Sequence, residues 1–254
     1  MINEQGFDEY RNEIDRLSAS ARKTSDTICK AATGREKSIS REEVKSIVEA
    51  LAANVDLYGG SAADLACQLY DAIRAEETRR GHYRATPAEL YDEILTELYE
   101  MLASMYGLDE TLLGEYTDKQ VKQYARRTIE LNANKDKSCK GFQVVPSKKN
   151  TCSFCTMQAG RGIIYHHNLK NMQQPYHVHC KCQPIPIFEG LPDWFDSKSY
   201  SEKYHAARDA FESGDYSDEL KERMDKLKTE DADYGKTQMI MAIMREQNKD
   251  AGMK

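Results

Sequence analysis

No apolar run in this chain approaches the roughly 18 residues that a membrane-crossing helix needs, so no membrane span is predicted. The opening MINEQGFDEYRNEIDR lacks the basic-then-apolar order of a secretory signal, and synthesis and folding in the cytosol are expected. Internal repeats and a glycine-rich phosphate loop are missing too, which argues against solenoids and P-loop nucleotide chemistry. Between Asp136 and Glu189 there is not one acidic residue. A catalytic zinc hydrolase in that stretch would need a carboxylate beside an open coordination position. A Cys–His nucleophile has the same weakness, and no enzyme is predicted. Proline is scarce, at six residues, and five of them fall between Pro146 and Pro192. Residues that break helices are thus gathered in one segment.

What is present outside that segment has helical periodicity. With 40% hydrophobic and 31% charged residues the composition fits a helix-rich protein with a sizeable core. Phe7, Tyr10, Ile14 and Leu17 form one stripe and predict a helix over residues 3–32. Ser40 with Glu43 makes a capping box for a second helix through Val44, Ile47, Val48, Leu51 and Val55, which Gly59 and Gly60 are expected to break. A third helix begins at Ser61. Thr86, Pro87 and Glu89 combine N-cap, first-turn proline and capping-box glutamate, predicting a helix from there through Met105. Thr117 with Gln120 opens another, in which the adjacent Arg126 and Arg127 are expected to face water.

At Gly141 the pattern changes to short β-branched runs, Val144–Val145, Ile163–Ile164 and Ile185–Ile187, which predict a few short strands. Pro184 and Pro186 make the last an edge strand or an extended arm. After Pro192, Trp194 and Phe195 dock on the core. Ser199 and Glu202 then open a helix through Phe211, followed by a turn at Gly214 and two helical stretches near 219–228 and 237–247. The fold class expected is α+β and predominantly helical. Residues 1–133 form a helical N-terminal region, 134–192 a small clipped β/loop module, and 193–254 a helical tail packing on the module.

That module contains the densest chemistry. Four of the seven cysteines and four of the six histidines lie between Cys152 and Cys182. A C-x-x-C (Cys152, Cys155) is followed by H-x-H-C-x-C (His177, His179, Cys180, Cys182), which is the spacing of a tetrahedral zinc site built from two knuckles. Disulfide pairing is the second reading, weakened by an odd cysteine count in a reducing compartment. Unpaired packing cysteines are the third, and suit the isolated Cys29 and Cys67. If Tyr176 to Cys182 is extended, its two histidines face away from its two cysteines. The ligand set is then Cys152, Cys155, Cys180 and Cys182 around a structural Zn2+. A turn at Val178 and His179 would instead admit His177, the first substitute.

The same residues carry a family resemblance. Phe142, Val145 and Pro146, the C-x-x-C, then Arg161, Gly162 and Tyr165, and the closing His177, Cys180 and Cys182 before a proline-containing strand resemble the C-terminal module of phage Mu protein F-like (MuF) minor head proteins. Tyr204, Ala207, Arg208 and Ile240 to Arg245 resemble the helical tail of actinobacterial-phage relatives, so the likeness covers roughly the last 115 residues. Phe142 stands where many relatives carry tryptophan, and the N-terminal half matches nothing beyond being helical. The resemblance implies a virion component of a tailed phage or prophage. Such a minor capsid protein serves head morphogenesis, DNA packaging or ejection, is made in the host cytoplasm and is then packed inside the head. Its implied partners are the portal and the major capsid protein.

Charge is uneven as well. The net charge is −6, yet Asn134 to Lys181 carries eight basic residues against Asp136 alone, a local +7. The patch is read as a solvated face balancing thiolates, or as a surface for DNA contact or an acidic partner. The alternative function is a zinc-stapled HNH-like nuclease using His166, His167 and Asn168. Against it, the acid and proline such sites place around the histidines are missing, and the closing knuckle is C-x-C.

Overall fold

The structure, a computed structural model, describes residues 2–33, 41–78, 83–104, 108–147, 151–165, 176, 180–224 and 232–250. Helix α1 (Glu4–Thr33) forms along the expected stripe, with Phe7, Tyr10, Ile14 and Ala21 all buried. Burying side chains such as Phe7 and Ile14 contributes about 1.5–3 kcal/mol each. Helix α2 (Arg41–Glu77) packs beside it, and both lie against α4 (Glu110–Lys135). The expected capping residue Ser40 lies outside the described residues.

Contrary to the sequence expectation, α2 does not break at Gly59–Gly60. A Cβ on Gly59 would sit 2.3 Å from Cδ2 of Tyr124, whose ring is buried in α4 and whose hydroxyl donates to Asp56 Oδ1 at 2.6 Å. The glycine marks a close helix crossing. Around Gly60 there is open space.

Helix α3 (Tyr91–Ser104) starts later than its capping box predicts. The N–H of Thr86 donates to Asn132 Oδ1, its carbonyl accepts from Asn132 Nδ2, and the N–H of Ala88 donates to Thr128 Oγ1. Side chains of α4 therefore hold residues 86–88 outside the helix, and Leu90 supplies the first helical carbonyl. Helix α4 begins earlier than expected, capped by Asp109 accepting from Leu112 N–H. Thr117 and Gln120 sit in its buried interior, bonded to Ser25 and Glu97.

A buried ion pair, Arg74 Nε to Asp136 Oδ2 at 2.7 Å, fixes the turn out of α4. Burial pushes the Asp136 carboxyl up, but the Ser138 N–H and the Arg74 guanidinium outweigh it and hold it below the usual range. The chain then enters a sheet of order β2–β1–β3, with β1 (Gly141–Val145), β2 (Ile164–Tyr165) and β3 (Gln183–Ile187) antiparallel. Pro184 and Pro186 lie opposite Val144 and Phe142, so the proline strand is an edge, as read from the sequence. β1 and β3 are buried along their whole length and pack on α4, which explains their lack of polar alternation.

Helix α5 (Ser153–Gly160) leaves the first knuckle and packs on β1, α6 (Ser197–Ser213) and α8 (Ala232–Asp250). A Cβ on Gly160 would lie 2.8 Å from the Ser201 backbone, so this glycine permits the α5–α6 approach. Gly214 ends α6 in the left-handed conformation at φ 75°, and the short α7 (Asp218–Met224) follows. One apolar core runs from Phe7 to Phe195; a second joins Ala207, Leu220, Ile240, Ala242, Ile243 and Met244 around α6 and α8. Among the described residues the architecture is α+β with eight helices, and no helix is long and apolar enough to cross a membrane.

Candidate metal centre

Cys152 is the N-cap of α5. Its sulfur accepts the Cys155 N–H at 3.3 Å, and its carbonyl accepts from Thr156 N–H and Oγ1. The C-x-x-C thus sits at the positive end of a helix, where thiolate charge is favoured. From the other knuckle, Cys180 and Cys182 alternate around Lys181, which points away and pairs with Asp15 of α1 at 3.3 Å. Both cysteine sulfurs meet Cys155, and the conformation of the segment before Cys180 lies outside the described residues.

The ligand atoms of Cys155, Cys180 and Cys182 all lie within 4.8 Å of one another, and the three residues are only 2–3% exposed. The Cys155 and Cys180 sulfurs are 3.4 Å apart. Zinc–sulfur bonds of about 2.3 Å in a tetrahedron set sulfur–sulfur edges of roughly 3.8 Å, whereas a disulfide needs about 2.05 Å. The donor set suits a soft divalent ion, and this buried cysteine cluster can bind a metal. Cys152, half-buried, adjoins it through Cys155 and borders a cleft of about 410 Å³ lined also by Tyr176, Gln238 and Arg245. His177 and His179 lie outside the described residues, as do His166, His167 and Asn168.

Protons are shared unevenly among the sulfurs. The Cys155 thiol is pushed far up, first by its hydrogen bond with Cys152 and then by those with Cys180 and Cys182. Cys180 is held well below the usual thiol range because it accepts from Cys155 and Cys182, with the Arg126 charge adding to the effect. The remaining cysteines stay apart. Cys29 is buried in the helical core, Cys67 packs against it, and Cys139 bonds the Gly141 carbonyl at 3.1 Å. Packing roles for Cys29 and Cys67 match the sequence reading.

Sequence reasoning missed the residue that braces the second knuckle. Arg126, expected in water, is 0% exposed. Its Nε donates to the Cys182 carbonyl at 3.0 Å and its Nη2 to the Cys180 carbonyl at 2.6 Å, with the guanidinium 4.2 Å from the Tyr176 ring centroid. α4 is buried on nearly all sides here, from Gln120 to Arg126, so no single apolar stripe separates its inner from its outer residues. Beside Arg126, burial pushes the Glu130 carboxyl up to about 7, against the pull of Arg127 and Arg126. The basic patch is partly engaged within the protein, since Lys140 donates to the Glu189 carbonyl and Lys181 pairs with Asp15. Lys148, Lys149 and Lys170 lie outside the described residues.

A family model described as VG15 protein matches residues 1–207 of the chain. No curated protein and no solved structure matches it.

Proposed function

The chain belongs to the VG15 protein family, a viral, phage protein family, and from that premise we propose that it is a minor capsid protein of a tailed phage or prophage. In this reading it is a structural part of the head, made in the host cytoplasm and then packed inside the virion. It contacts the portal or major capsid protein, with incidental DNA contact through residues 134–181. Its cysteine cluster holds one structural Zn2+ through Cys155, Cys180 and Cys182, with Cys152 completing the tetrahedron.

The observation that carries the reading is the burial of the cysteine triad against α4 and the sheet. An ion closed in by protein on those sides fixes two knuckles and offers a substrate no access there, which is the arrangement of a structural site. The motif resemblance to phage Mu protein F-like minor head proteins supports the virion role. Nothing among the described residues favours the nuclease alternative, whose His166, His167 and Asn168 lie outside them, and magnesium- or manganese-dependent nicking of plasmid DNA by the pure protein is not expected. Mass spectrometry of virions purified from an induced lysogen tests the proposal. The chain is expected in filled heads at a fixed copy number; its absence from virions, with abundance in the lysate, would refute the structural role.

A further inference from the structure

Arg126 heads the fully buried side chains by volume, and its burial needs an account. A guanidinium does not deprotonate in proteins, and burying an uncompensated ion is costly. Among the described residues both of its hydrogen bonds end on neutral oxygens, the carbonyls of Cys180 and Cys182, and its Nη1 makes none. The Tyr176 ring beneath it offers only a weak negative face. The two carbonyls it holds belong to two of the three buried cysteines whose ligand atoms lie within 4.8 Å of one another, and the carboxylates of Glu130 and Asp118 also act on its charge. A guanidinium locked onto the backbone of both cysteines fits a cluster that holds a divalent ion through its sulfurs.

We propose that Arg126 is the positioning residue of the metal centre. Its planar fork ties the carbonyls of Cys180 and Cys182 together, which aims both sulfurs at one point. Its charge offsets one of the two negative charges that four thiolates retain around a divalent ion. The inference rests on the metal reading above. Lysine cannot replace the fork, because a single ammonium does not span two carbonyls in a fixed plane.

The test uses full-length protein with Arg126→Lys and Arg126→Met. It reads zinc transfer to a chromogenic chelator, the pH of half metal loss, and the absorption spectrum after cobalt(II) substitution. Arg126→Lys is expected to fold with one metal per chain and to release zinc about 10-fold faster than wild type. Arg126→Met is expected to lose metal at a pH about one unit higher, since the thiolates lose a neighbouring cation, and to give an altered cobalt charge-transfer band. Wild-type release, pH midpoint and cobalt spectrum in Arg126→Lys would overturn the proposal, and that variant decides the matter if Arg126→Met fails to fold. A wild-type protein that binds neither zinc nor cobalt would instead overturn the metal reading itself.

Discussion

Replacing Cys155 by serine is expected to bring zinc content below a tenth of one ion per chain and to lower the melting temperature by about 10 °C or more. Cys155 is the sulfur shared by both knuckles, in contact with Cys152, Cys180 and Cys182. Serine offers no thiolate, and losing a structural metal ranks among the few single changes that cost more than about 4 kcal/mol. In a chain of this size each kcal/mol moves the midpoint by roughly 2–4 °C. The loss should begin in α5 and spread to the α6–α8 tail packed on it. Helices α1, α2 and α4 bury their faces against one another, so most of the far-UV helical signal is expected to persist at room temperature. Cys67→Ser serves as the control, because Cys67 packs outside the cluster and its loss should leave metal content unchanged. Full metal content in Cys155→Ser would remove Cys155 from the ligand set. Loss of the whole helical signal would show instead that the cluster and the helices sharing its apolar core unfold as one unit.

The second large effect is expected at Gly59, with its neighbour giving the opposite sign. An added methyl there meets Tyr124 Cδ2 at 2.3 Å, Cε2 at 2.6 Å and Cγ at 2.7 Å. The ring is anchored by its hydroxyl on Asp56 and by core on its other sides, so it cannot swing aside cheaply. Gly59→Ala should cost about 2 kcal/mol net, overpacking exceeding the gain in helix propensity. Gly60→Ala meets nothing within 4 Å and should stabilise by roughly 0.5–1 kcal/mol. Denaturant titrations of the two variants check this. Equal stabilisation by both would mean that α2 and α4 do not cross at Gly59.

These two sites also show what could be read without coordinates. The meeting of Cys155 with Cys180 and Cys182 was legible because ligand spacing is a local signal carried by the two cysteine pairs. The edge position of the proline strand was legible for the same reason, since proline's missing N–H is a property of the residue itself. Helix boundaries were harder where partners distant in sequence decided them. Asn132 and Thr128 hold Thr86 and Ala88 in a non-helical segment across a capping box that would otherwise start a helix. Tyr124 turns a pair of glycines from a break into a crossing. Arg126 was illegible because a helix buried on nearly all sides gives charge no outward face, and its acceptors are backbone carbonyls that leave no mark in sequence.

The central claim, that the two knuckles close around one structural ion, is tested most directly by elemental analysis of the wild-type protein purified without chelator. About one zinc per chain is expected, retained through gel filtration and released only as the thiolates are protonated or alkylated. Less than a tenth of an ion per chain, with Cys152, Cys155, Cys180 and Cys182 found as disulfides or as freely titrating thiols, would contradict it.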